Sequence, residues 1–245
     1  MSRTTPIDPL GLRAVRSDRA SFTLLLMMLG VDAVLIALHI AAAVRDEQES
    51  LNYLDLEYGH PEAVQALRWL WCIGLLGLFV LRTRRWEFAT LAPLLIFMLV
   101  TDALEFHERN GRALSEALGI PGVLGMRPQD IGEILVVMLA AAVVIPLAVF
   151  GMRVAARDHR RHFVRILIIV SLIAFCGVAV DAIHIIAADD VVALSSGSIL
   201  GLVEDGGEMI GASLLVTYLF WLSLDRAADA DAAAHRSKDT LPPTR

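Results

Sequence analysis

The sequence predicts an all-α polytopic membrane protein, a bundle of six transmembrane helices, and three observations predict it. Six apolar runs are each long enough to cross about 30 Å of hydrocarbon, a distance that takes about 20 helical residues. Arginines concentrate in alternate connections between those runs. The runs also lack the two-residue alternation of barrel strands, and a backbone in lipid must satisfy its own hydrogen bonds, which leaves the helix as the spanning structure. Composition agrees: of 245 residues, 56% are hydrophobic and 20% charged, and the mean hydropathy is +0.63, well to the apolar side of a soluble domain.

The expected spans are 20–44, 61–81, 88–105, 131–152, 163–188 and 199–224. Ahead of the first lies segment 1–19 with Arg3, Arg13, Arg16 and Arg19. This first span is no cleaved signal peptide, since it is far longer than an h-region and contains Asp32. Arg82, Arg84 and Arg85 fill the connection from span two to span three, and Arg153, Arg157, Arg160, Arg161 and Arg165 crowd the one from four to five. These segments belong on the cytoplasmic side, with both termini. The other connections are poorer in basic residues and face outward. Residues 225–245 are small, charged and end in proline, and read as a disordered cytoplasmic tail. A single lysine, Lys238, against many arginines points to a bacterial genome rich in GC, hence to the bacterial inner membrane.

Other classes fall away. The net charge of −6 means little as a sum, and no basic face marks a nucleic-acid partner, so the bilayer is the partner that the composition requires. Cys72 and Cys176 each sit in an apolar run and read as small buried hydrophobes rather than a disulfide framework. Trp69, Trp71 and Trp86 lie near span ends, where an aromatic belt explains them. Pro93 in span three and Gly206-Gly207 in span six either loosen their helices or are tolerated there.

The odd spans share a phrase: Val31-Asp32-Ala33 then His39, Thr101-Asp102-Ala103 then His107, and Val180-Asp181-Ala182 then His184. Two even spans open on Asp130-Ile131-Gly132-Glu133 and Asp205-Gly206-Gly207-Glu208. The unit is a two-helix hairpin repeated about an axis along the membrane normal.

Ionisable residues inside spans cost about 2.5–3.5 kcal/mol each at a helix centre, so they tend to face the bundle interior and serve a function. Here they gather toward the outward half: His39, Asp102, Glu105, His107, Asp181 and His184 on the odd spans, Glu133, Glu204, Asp205 and Glu208 on the even ones. Helical spacing puts Asp32 with His39, Asp102 with Glu105, Asp181 with His184, and Glu204 with Glu208 on common faces. Carboxylates with imidazoles suit a divalent metal, Zn²⁺, Mn²⁺ or iron, or serve as protonatable groups. Asp181, His184 and Glu208 are the favoured members, with Asp102, Glu105, His107, Glu133, Glu204 and His39 as further candidates. Structural readings compete. Asp130 fits a capping box, and a salt bridge to Arg68 is the main structural alternative for Asp32, Asp181 and Glu208.

Together, Asp102…Glu105-Phe106-His107-Glu108 closing span three, Glu204-Asp205-x-x-Glu208 opening span six, and Leu54-Asp55-Leu56-Glu57 before span two make the chain resemble an uncharacterised family of polytopic bacterial inner-membrane proteins. That family carries an acidic phrase ending in His-Glu at its third span and a Glu-rich start to its last; here the acid-to-His distance in span three is one residue shorter. The resemblance implies a topology and a focus on these residues, with no activity attached. Function therefore stays open among a metal-dependent intramembrane hydrolase acting on a lipid or lipid-linked substrate, an ion-coupled transporter, and a non-catalytic subunit or sensor. No nucleophile phrase, substrate or oligomeric state is legible.

Overall fold

The computed structural model describes residues 8–45, 50–54, 56, 58–123, 126–180 and 199–239. Among them the chain is an all-α bundle: α1 (Leu12–Ser17), α2 (Arg19–Val44), α3 (His60–Thr83), α4 (Ala92–Leu104), α5 (Phe106–Leu118), α6 (Pro128–Val154), α7 (Arg157–Ala174) and α8 (Ile199–Asp239). A 3₁₀ segment, Trp86–Leu91, leads into α4, and a π-helical turn, Phe175–Val180, extends α7. Five helical stretches are long and apolar enough to cross a membrane: Arg19–Val44, His60–Thr83, Trp86–Leu104, Pro128–Val154 and Leu202–Leu224. The expected fifth span is described only as far as α7 and the π turn; the rest of it, with Asp181 and His184, lies outside the described residues. The backbone of α8 stays helical past Leu224, where the expected tail begins, to Asp239.

Local chemistry sets the helix ends. Asp18 caps α2, its carboxylate accepting from the Ser21 amide at 2.7 Å. Pro61 and Pro128 sit in the first turns of α3 and α6, where a missing N–H costs nothing. Pro93 does the same for α4, so it starts a helix after the 3₁₀ segment rather than kinking a continuous span. The capping box with Glu133 is not formed; Arg127 is the N-cap of α6 and Asp130 stands at N3 in its first turn, accepting from the Arg127 amide at 2.8 Å and from the Arg127 guanidinium.

The expected loop after span three contains a helix. At Glu105 the chain takes a left-handed turn (φ 48°), and α5 then runs to Gly119 (φ 60°), where the Ile120 amide bonds the Ser115 carbonyl in a Schellman ending. The signals were present: Glu108 in the first turn and glycine just past the last. They are weak beside the apolar runs, because α5 is short and polar.

Backbone-to-backbone crossings hold the periphery. Gly111 on α5 meets Gly132 on α6; a Cβ on Gly132 would collide with the Gly111 carbonyl, and one on Gly111 would lie 2.6 Å from the Glu133 amide nitrogen. Only glycine permits that approach. At the centre, Leu76, Phe79, Phe88, Leu95, Phe163, Ile166, Ile173, Leu215 and Leu219 form one buried apolar core between α3, α4, α7 and α8.

Gly132→Ala is expected to cost about 1–3 kcal/mol through overpacking, lowering the thermal midpoint in detergent by about 2–4 °C per kcal/mol. Gly74→Ala, on a face of α3 open within 4 Å, is expected to leave the midpoint unchanged or raise it. Equal losses in the two variants would show that close approach at Gly132 is not limiting.

Candidate functional site

Three helices meet around one ion pair. Arg68 of α3 donates through Nη2 to Asp32 of α2, and each side chain is only 2% exposed. Ser213 of α8 donates to the other Asp32 oxygen at 2.8 Å. Arg68 Nη1 reaches the Gln65 Oε1 at 3.3 Å and the Met209 carbonyl at 3.5 Å. The carboxylate and guanidinium are therefore desolvated together and shared among α2, α3 and α8, the arrangement in which losing one partner is costly. Of the structural alternatives legible in the sequence, the Arg68 salt bridge is thus realised for Asp32.

One turn further toward the start of α3 lies a cavity of about 140 Å³, lined by Leu54, Pro61, Glu62, Gln65, Asp102, Asp205, Glu208 and Met209. Four of these are carboxylates, drawn from α3, α4 and α8. Glu62 and Asp102 are close enough to act on each other's charge. Asp102 is fixed by the indole of Trp69, whose Nε1 donates to its Oδ2. Trp69 is fully buried, so it serves this contact and the core rather than an aromatic belt. Gln65 is 6% exposed, and its Nε2 has no hydrogen-bond partner among the described residues. Because Arg68 donates to its Oε1, the amide is oriented, with its nitrogen buried out of contact with solvent.

Glu208 enters from α8, and the π turn gives it room. A Cβ on Gly177 would strike the Glu208 carboxylate, and one on Gly207 would lie 2.6 Å from the Cys176 sulfur. Gly206-Gly207 therefore does not loosen its helix; α8 is continuous there, and with Gly211 the pair Gly207-x-x-x-Gly211 lets the π turn and α7 approach closely.

The remaining sequence candidates go elsewhere. His39 is buried beside Asp32 on the same face of α2, but its Nδ1 accepts from the Leu54 amide at 3.1 Å and its ring meets Tyr53 edge-on, so it fastens the segment leading into α3. Glu105 does not share a face with Asp102, because the left-handed turn intervenes; it pairs with Arg109 at 3.4 Å. His107 stands in the first turn of α5. Glu133 accepts from Gln129 at 2.8 Å on α6, and Glu204 is half-buried on α8 without lining the cavity. Among the described residues no three His, Cys, Asp or Glu are grouped to hold a metal ion. Sequence reading missed Glu62 and Gln65, although Glu62-x-x-Gln65-x-x-Arg68 is a polar stripe at helical spacing on an otherwise apolar span.

A family model described as a domain of unknown function (DUF8692) matches residues 20–222. No curated protein and no solved structure matches the chain.

Asp32→Ala is expected to destabilise by about 3–5 kcal/mol, because it leaves Arg68 buried and unpaired. The double replacement Asp32→Leu with Arg68→Leu is expected to recover much of that loss. Chemical or thermal unfolding in detergent measures both, and a double variant as unstable as the sum of the single ones would refute the pairing.

Proposed function

We propose, from the premise that this chain belongs to the DUF8692 family, that it is an integral membrane protein of the bacterial inner membrane whose outward bundle end binds a cation. The observation that carries the reading is the cavity between α3, α4 and α8, whose lining includes the four carboxylates of Glu62, Asp102, Asp205 and Glu208 together with Gln65. Each negative charge in so small a space raises the cost of the others, and a bound cation or proton relieves that cost. Hard oxygen donors suit a divalent metal such as Mn²⁺, and Zn²⁺ or iron if imidazole joins them.

Asp181 and His184 are proposed as the completing ligands. They follow in sequence directly on the π turn, whose Gly177 lies against Glu208. Arginine asymmetry supports six spans with both termini in the cytoplasm and this end of the bundle outside.

The apolar core argues for a site serving one face rather than a transport path. Beyond the Asp32–Arg68 layer most buried side chains of α3 and α8 are apolar, among them Cys72, Leu76, Phe79, Leu215, Leu219 and Leu222, while the buried hydroxyl of Thr217 is engaged by the Ser213 carbonyl and that of Tyr218 by His162. A metal-dependent hydrolase acting on a lipid-linked substrate is the second reading. It is favoured by a cavity larger than a bare ion needs, with Leu54, Pro61 and Met209 supplying an apolar wall.

The test is metal binding by the purified protein, measured by equilibrium dialysis with Mn²⁺ or Zn²⁺ and by metal content. Asp102→Asn, Glu208→Gln and Asp181→Ala are each expected to weaken binding by at least about 10-fold, with thermal midpoints near that of the parent. No binding by the parent, or equal binding by all four proteins, would end the proposal. Phospholipid turnover in detergent separates the hydrolase, which needs no sealed membrane.

A further inference from the structure

The end of the bundle opposite the acidic cavity carries a second polar assembly, and its charge has the other sign. Gly151 near the end of α6 packs against the 3₁₀ segment, where a Cβ would meet the Thr90 hydroxyl and the Glu87 carbonyl. That contact draws the turn after α3, bearing Arg84 and Arg85, toward the α6–α7 turn, bearing Arg153 and Arg157. The second turn is held in shape by Arg160, which donates to the Arg153 and Ala155 carbonyls at 3.1 Å each.

The nearby acids are engaged elsewhere. Glu87 and Asp158 both face the buried His159, at 3.4 and 3.3 Å. Among the described residues Arg84, Arg85, Arg153 and Arg157 are exposed, and none of them is in a salt bridge. Beside them stand Trp86, 57% exposed, and the exposed apolar side chains of Phe150 and Val154. Four guanidiniums from two turns, an amphipathic indole and an apolar strip descending along α6 form a graded surface from charge to hydrocarbon.

We infer that this corner is a headgroup site for an anionic phospholipid. The arginines take the phosphate through charge-assisted hydrogen bonds, Trp86 lies at the interface, and an acyl chain follows Phe150. A soluble phosphate would use the arginines but leave the indole and the apolar strip without a role. The inference rests on the chain being a membrane protein and is independent of the cation site.

The experiment places the full chain in phosphatidylcholine vesicles containing increasing fractions of either brominated phosphatidylglycerol or brominated phosphatidylcholine. Quenching assigned to Trp86 is read by subtracting the Trp86→Phe variant. Phosphatidylglycerol is expected to quench at about 10-fold lower mole fraction, a preference of about 1.4 kcal/mol. The triple variant R84Q/R85Q/R157Q is expected to lose the preference to within about twofold, while R84K/R85K/R157K retains most of it. Equal quenching by the two lipids in the parent overturns the site, as does an undiminished preference in the glutamine variant. A preference abolished by millimolar inorganic phosphate overturns the lipid as its source. A chain that fails to enter the vesicles at all sinks the membrane reading instead.

Discussion

The buried pair of Arg68 and Asp32 is the interaction on which the rest of the arrangement depends. It is the only point among the described residues where α2, α3 and α8 are joined by charge, with Ser213 closing the contact from α8. Removing two charges from water is expensive, and their attraction repays the cost only when geometry is held and the remaining hydrogen-bond capacity is used. Arg68 uses Nη1 on Gln65 and Met209, which orients the Gln65 amide, while its own buried Nε has no hydrogen-bond partner among the described residues. The neighbouring residue, Trp69, holds Asp102. Two successive positions on α3 thus orient both the floor and one wall of the acidic cavity.

Close packing without side chains supplies the second constraint. A helix in lipid gains little from burying leucine against leucine, so contacts that bring backbones together carry more of the association. Gly111 with Gly132 seats α5 on α6, and Gly177, Gly207 and Gly211 seat the π turn and α7 on α8. The second group serves the site as well as the fold, because the space over Gly177 is where the Glu208 carboxylate lies.

Polarity is divided along the bundle. Carboxylates collect where α3 and α8 begin, an apolar core fills the middle, and arginines with buried histidines occupy the other end. His162 bonds the Tyr218 hydroxyl at 2.7 Å there, and Arg165 donates to the Asp8 carbonyl, tying the segment before α1 onto α7. The two ends therefore differ in the sign of their charge, and the layer between them is mostly apolar, with the buried hydroxyls of Ser213, Thr217 and Tyr218 spaced along α8.

The sequence by itself determined the all-α class and the apolar helices, and marked Asp32, Asp102 and Glu208 as ionisable residues within apolar runs, because hydropathy over 20 residues and the placement of a charge within it are local properties that need no partner to be read. It also placed Asp130 in the first turn of α6, for the same reason, although the box there is closed by Arg127 and not by Glu133. Only the tertiary structure decided which polar residues meet. Asp102 and Glu105 share a helical spacing, yet one left-handed residue sends them to different neighbours; His39 shares a face with Asp32 but fastens Leu54; and Glu62 and Gln65 became cavity residues only once α3 was packed against α4 and α8. Spacing along one helix fixes a direction, whereas a site requires distances between helices, and those are set by glycine contacts and a single buried ion pair that lie far apart in the chain.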